Sequence, residues 1–164
     1  MVEVHQIDAA GWRALREVRL EALRDAPSAF ASSYAREVAF TASDWQRRIA
    51  TGVSFLAYAP ELDAAAAGIV GGFEAEPGAV ELVSLWVRPR ARGQGVGRAL
   101  VEALAGWAWG TGTPCVHLWV TETNHHARRL YDRCGFRVTT ERQPLPSDPA
   151  LMEIGMVRCQ QEPP

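Results

Sequence analysis

The segment from Leu82 to Leu100, LVSLWVRPRARGQGVGRAL, leaves few folds open to the chain. An apolar run ends at Pro89, Arg88, Arg90 and Arg92 crowd around it, Gly93, Gly95 and Gly97 take alternate positions, and an amphipathic run begins. That order predicts a strand, a glycine-rich loop and a helix start. Glycines let a backbone turn tightly and bring its N–H groups against a ligand, and a helix N-terminus adds about half a positive charge. The ligand expected of such a loop is anionic, most simply a phosphate pair.

Spacing separates the known kinds of phosphate loop. A P-loop needs Lys and then Ser or Thr after its last glycine, whereas Arg98 and Ala99 follow Gly97, and the whole chain contains no lysine. A dinucleotide fingerprint needs glycine in the sixth place, which counted from Gly93 or Gly95 is Arg98 or Leu100. What fits is Val87-x-Pro89-x-x-Arg92-Gly93-x-Gly95-x-Gly97-x-x-Leu100. This run closely resembles the acetyl-CoA loop of the GNAT superfamily of N-acetyltransferases. A second run, Asn124-x-x-Ala127-x-x-Leu130-Tyr131-x-x-Cys134-Gly135-Phe136, is similar to the same family and lies in the expected order. The likeness is specific from about Ala79 to Phe136 and general in pattern at the two ends.

The resemblance implies acetyl-CoA as cosubstrate and no metal. Gly93, Gln94, Gly95, Val96, Gly97 and Arg98 would hold the pyrophosphate, with Arg92 or Arg98 supplying charge. Main-chain groups of Leu85 and Val87, flanking Trp86, would pair with the pantetheine arm like an added strand, and Asn124 would hydrogen-bond that arm. A backbone N–H near Leu85 would face the thioester oxygen. Tyr131 would protonate or hydrogen-bond the sulfur. Bulky Leu85 and Trp86 favour acetyl over longer acyl groups.

Acetylating an amine requires removing a proton. For an alkylamine the neutral form at pH 7 is disfavoured by about 4.6 kcal/mol, whereas protonating the leaving thiolate is worth at most about 2 kcal/mol. Glu81, six residues before Val87, is the candidate base, acting directly or through water, and Glu122 is the second choice. Ribosomal-protein alanine acetyltransferases place a glutamate where this chain has Trp119, which counts against that substrate. The predicted reaction is direct N-acetylation of a primary amine on a small molecule or peptide. A non-catalytic acyl-CoA-binding module and a transferase of longer acyl groups are the alternatives.

The flanking sequence fits one domain over residues 1–164. Expected elements are a first strand at Glu3 to Ile7, a helix after Asp8 ending near Pro27, a short helix from Asp44 to Ala50 capped by Thr41 or Ser43, and a hairpin of Val53 to Ala59 with Ala65 to Ala75 across Pro60-Glu61-Leu62-Asp63. The aromatic anchors Phe30, Tyr34 and Phe40 between the two helices read as core packing. Ala79 to Val87 is the central strand, Gly95 to Trp109 a helix, and Cys115 to Val120 a strand parallel to the central one, because a helix connects them. A helix from His125 to Cys134 and a strand from Phe136 to Thr140 follow; Glu141 to Ala150, with Pro144, Pro146 and Pro149, reads as a loop, Leu151 to Arg158 as the last strand, and Cys159 to Pro164 as a frayed tail. The fold class is α/β (α+β): a mixed, mostly antiparallel sheet with a splayed parallel strand pair, flanked by helices.

Three widely spaced cysteines, Cys115, Cys134 and Cys159, read as buried reduced thiols. His117 reads as packed, and the adjacent His125 and His126 diverge by about 100° on a helix and cannot chelate together. A net charge of −2 gives no footprint for nucleic acid, and no apolar run is long enough to cross a membrane. Cytoplasmic location is expected, and a homodimer is compatible with the resemblance.

Overall fold

In the computed structural model, residues 1–62 and 65–162 are described. Among them seven strands form one sheet: β1 (Glu3–Gln6), β2 (Val53–Tyr58), β3 (Ala66–Glu76), β4 (Ala79–Val87), β5 (Cys115–Thr121), β6 (Arg137–Leu145) and β7 (Asp148–Cys159). The order is β1-β2-β3-β4-β5-β7-β6, and every neighbouring pair is antiparallel except β4 with β5. The expected mixed sheet with one parallel pair is what forms.

Five α-helices flank it: α1 (Trp12–Asp25), α2 (Tyr34–Glu37), α3 (Ala42–Ala50), α4 (Val96–Gly110) and α5 (His125–Arg133). In α4 Val96, Leu100, Leu104 and Ala108 recur at helical spacing and are buried against Val80, Leu82, Val116 and Leu118 of the sheet. Burying a leucine such as Leu100 or Leu104 stabilises by about 1.5–3 kcal/mol. On the opposite face α1 and α3 bury Leu15, Val18, Leu23, Trp45 and Ile49 against Leu56, Ile69 and Trp86, with Phe30 in the same core and Tyr34 and Phe40 at its margin. Thr41 and Asp44 cap α3 reciprocally, Thr41 N–H donating to Asp44 Oδ2 at 2.8 Å and Asp44 N–H to Thr41 Oγ1 at 3.2 Å.

Two expectations at the C-terminal end are corrected. Residues Glu141 to Ala150 form the close of a hairpin rather than a loop, because β6 is an edge strand and Pro144 has no ladder N–H to forgo on its outer side. Cys115 and Cys159 are joined in a disulfide instead of standing as reduced thiols, and Cys134 alone is free and buried. The antiparallel register of β5 and β7 sets the two cysteines directly opposite each other. The tail is accordingly anchored through Cys159 and through Gln160, whose N–H donates to the Pro114 carbonyl at 2.7 Å. Pro163, Pro164 and Asp63 of the predicted first hairpin turn lie outside the described residues. No described helix is long and apolar enough to cross a membrane.

Candidate active site

The parallel pairing of β4 with β5 runs from Ala79 opposite Cys115 to Leu82 opposite Leu118 and stops there. Its end coincides with a bulge: Gly71 faces Val83 and Ile69 faces Trp86, so Val70 stands opposite both Ser84 and Leu85. Ser84 is the one non-glycine residue with positive φ among the described residues, at 60°. Past the bulge β4 turns from β5, and its outer main-chain edge is left without a strand partner. Arg88 N–H donates to the Ala67 carbonyl at 2.8 Å, so Val87 is in a non-hydrogen-bonded pair with Gly68 and its own N–H and C=O face away from β3. Leu85 shares that orientation by alternation.

The opening widens into a groove of about 590 Å³. Leu85, Trp86 and Val87 form one wall, the glycine loop and the start of α4 its end, and Asn124 with α5 the other wall. Gly93 and Gly95 adopt φ of +75° and +83°, the left-handed conformation that favours glycine. Gly95 is the N-cap of α4 and makes no side-chain cap, so the first amide groups of the helix are left for an outside acceptor. Gly97 allows close packing, since a Cβ there would meet Leu130 Cδ2 at 3.0 Å.

Of the residues singled out in the sequence, Leu85, Trp86, Val87, Arg92, Gly93, Gly95, Val96, Gly97, Arg98, Asn124 and Tyr131 all line this groove. Gln94 does not; its Nε2 donates to the Arg90 carbonyl at 3.0 Å. Arg92 is committed, Nε donating to the Val87 carbonyl at 2.9 Å and Nη2 to Asp25 Oδ2 at 2.7 Å. Arg98 pairs with no carboxylate among the described residues and is the better placed cation for a phosphate. Asn124 accepts from Ala127 N–H at 3.2 Å as the N-cap of α5, leaving its amide NH₂ uncommitted.

Tyr131 is buried at the groove wall and packs edge-to-face on Phe136, with ring centroids 5.8 Å apart. Burial, with the neighbouring Cys134 thiol, raises its phenol pKa, so the hydroxyl is a donor across the physiological range. The sequence reading gave no site role to Ala26 and Ala29 after α1, to His126 and Arg133 on α5, or to Cys134 at the C-cap of α5. The α5 residues could have been found by extending the Ala127, Leu130, Tyr131 face by helical steps; the two alanines carry no local signal.

Glu81 lies outside the groove. Val80 and Leu82 pack towards α4, so alternation sets Glu81 and Val83 on the α1/α3 face, opposite His117 of β5. Burial, and then the charge of Glu153, raise its carboxyl above the usual carboxylate range, opposed by a hydrogen bond from Trp119 and by His117. The second-choice base, Glu122, is ion-paired to Arg142 at 2.5 Å.

A model of the acetyltransferase (GNAT) family matches residues 12–136. No protein of curated function matches the chain. Among solved structures the chain is similar to a GCN5-related N-acetyltransferase from Kribbella flavida, at 24% identity and TM-score 0.71 over 97% of this chain and 98% of that one. It is also similar to the PaiA N-acetyltransferase from Thermoplasma acidophilum in complex with coenzyme A, at 15% identity and TM-score 0.74 over 98% and 99%. An acetyltransferase of the GNAT family from Streptococcus pneumoniae gives 16% identity and TM-score 0.74 over 98% and 100%. At these identities the likeness to solved structures is one of fold.

Proposed function

The chain belongs to the acetyltransferase (GNAT) family, and from that premise we propose that it is an N-acetyltransferase, moving an acetyl group from acetyl-CoA directly to a primary amine of a small molecule or peptide. The observation that carries the reading is the parting of β4 from β5 after Leu82, which opens a groove on the uncapped start of α4 and on Tyr131. Acetyl-CoA supplies an activated acyl group on a thiol leaving group.

The residues present suit that substrate. The amides of the loop and of the start of α4, with Arg98, would hold the pyrophosphate, and the edge of β4 at Leu85 and at the Val87 N–H would hold the pantetheine arm, the Val87 carbonyl already accepting from Arg92. The N–H of Leu85 is the donor available to the thioester oxygen. Tyr131 keeps its proton and can give it to the departing sulfur.

Glu81 takes the proton from the amine, directly or through water, from the far face of the sheet. Its raised pKa brings it nearer to neutrality and makes it a stronger base than an ordinary carboxylate. Transfer is direct because the cysteine at the groove, Cys134, is buried and its thiol is pushed up by burial foremost, which disfavours a nucleophilic thiolate.

The test pairs binding with turnover. Melting with acetyl-CoA, CoA, ATP or NAD at about 100 times Kd should show a rise of roughly 5–11 °C for the two CoA compounds alone. Thiol release with a panel of amines should then fall up to about 30-fold in Tyr131→Phe at unchanged CoA affinity. No thermal rise with either CoA compound sinks the reading; a rise without turnover of any amine leaves an acyl-CoA-binding module.

A further inference from the structure

We infer that the acceptor amine carries a carboxylate, and that a second cavity beneath α1 and α3 holds this carboxylate against Arg48 and Arg19. The inference deepens the acetyl-transfer reading and rests on it. The cavity, about 440 Å³, opens between α1, the end of α3 and strands β2 to β4. Val83 and Ser84 line it, while the next residues, Leu85 to Val87, line the CoA groove. The bulge in β4 is therefore the partition between the two spaces, and a molecule seated in the cavity reaches the point where the thioester is expected.

The charge in the cavity is arranged rather than incidental. Glu37 is fully buried and receives four hydrogen bonds, from Arg19 Nε at 2.9 Å and Nη2 at 3.0 Å and from Arg48 Nη1 at 3.2 Å and Nη2 at 2.8 Å. Two guanidiniums share one carboxylate, which leaves one positive charge in excess. Arg19 spends a third donor, Nη1, on Ser84 Oγ at 2.6 Å. Arg48 spends only those two of its five donors among the described residues. Its side chain is one-third exposed, and its guanidinium lies 5.2 Å from the Trp45 ring centroid and 5.5 Å from that of Phe40. Fixed on one side by Glu37 and the rings, it lines the cavity with donors to spare, an arrangement that binds a carboxylate at least loss of side-chain freedom. Glu74 stands at the exposed rim.

Polarity along β4 completes the argument. Glu81 lies on the same face, beyond Val83, with Glu153 near enough to raise its pKa. Negative charge thus stands at one end and excess positive charge at the other, matching a molecule whose amine points to Glu81 and whose carboxylate points to Arg48. The volume suits a small aminocarboxylate.

The test compares thiol release from acetyl-CoA with β-alanine and γ-aminobutyrate against their carboxamides. In the native enzyme KM should be lower for the carboxylates by roughly tenfold or more, a difference that collapses in Arg48→Gln while CoA affinity stays. Gly71→Val gives a second route that leaves the ion cluster intact. Its side chain would start on the cavity floor, the nearest atoms to a Cβ there being Val83 Cγ2 at 3.4 Å and the Val53 carbonyl at 3.6 Å, and it should raise the carboxylate's KM without weakening CoA. Glutarate provides a readout independent of turnover, raising the melting temperature of the native protein and not of Arg48→Gln. Equal kinetics for acids and amides, or no thermal rise with glutarate, overturns the inference. Glutarate binding with no amine acetylated strikes instead at the transfer reading.

Discussion

Asp25, the last residue of α1, accepts the indole N–H of Trp86 on β4 at 2.8 Å, across 61 positions of sequence. The same oxygen, Oδ2, accepts Arg92 Nη2 at 2.7 Å, and Arg92 Nε in turn holds the Val87 carbonyl. One carboxylate therefore ties the end of a helix to the strand that diverges and to the loop that follows it. The shape of the groove depends on this tie as much as on the glycines.

Asp25→Ala should lose about 1–3 kcal/mol of stability by urea unfolding, because the Trp86 indole keeps its donor without a partner. Calorimetry should also show weaker acetyl-CoA binding, since Arg92 is freed to leave the Val87 carbonyl. Asp25→Asn, which can still accept from Trp86 but has no charge for Arg92, should fall between. Native stability and native affinity in the alanine variant together would dismiss the tie.

The pH profile should separate the two acids of the open face. A base acts deprotonated, so kcat/KM should rise with pH through the Glu81 pKa, which burial and Glu153 hold above 4.5. Glu153 is itself buried and accepts from Gln143 Nε2 at 3.0 Å. Glu153→Gln removes a like charge, lowers the Glu81 pKa and should move the acid limb to lower pH. Glu81→Gln should abolish the limb and most of kcat. An acid limb indifferent to both substitutions would assign the base elsewhere.

Much of this site was legible in the sequence because its parts are local. A strand, a loop with glycines at fixed intervals and a helix start are contiguous and form at the expected residues, and Asn124 and Tyr131, on one turn-and-helix unit, line the same groove, whereas Gln94 turns away from it. The parallel pairing was legible for a topological reason, a helix joining two strands. What escaped depends on partners distant in the chain. Nothing near Cys115 or Cys159 announces that β5 and β7 set them opposite each other. Three prolines between residues 144 and 149 speak against a strand unless the strand is known to be an edge. Arg92 reads as a phosphate ligand until Asp25, from the first helix, claims it. The Arg19–Glu37–Arg48 cluster gathers three separate helices and is invisible to spacing.

Glu37 makes a prediction about acid stability. Burial alone would raise its pKa, but the hydrogen bonds and charges of Arg19 and Arg48 outweigh that and hold it at about 2, against 4.5 when unpaired. A folded pKa below the unfolded one stabilises the protein above the unfolded value, and the stabilisation disappears as pH falls through the folded value. The difference corresponds to roughly 3 kcal/mol, lost progressively between pH 4.5 and about 2. Urea unfolding across that window should fall steeply for the native chain and less so for Glu37→Gln, which at neutral pH should already be less stable by about 3–5 kcal/mol for stranding two guanidiniums. Parallel curves for the two proteins would show that Glu37 does not titrate as its surroundings demand.

The disulfide can be counted and then removed. Unfolded without reductant, each chain should yield one titratable thiol, Cys134, and three after reduction. In the folded state that thiol should react slowly, since it is buried and its pKa is raised by burial first and by Glu102 second. The Cys115–Cys159 bond closes a loop with a sequence separation of 44, so its loss frees the unfolded chain by about 4 kcal/mol. For a chain of this length that is a fall in Tm of roughly 8–16 °C for Cys115→Ser/Cys159→Ser. Acetyl-CoA affinity should be unchanged, because the bond lies at the start of β5 and the end of β7, whereas the groove opens beyond Leu82 and Leu118. Three thiols in the unreduced chain would remove the bond from the account, and a loss of cofactor affinity in the serine variant would show that the sheet transmits strain from its closed end to its open one.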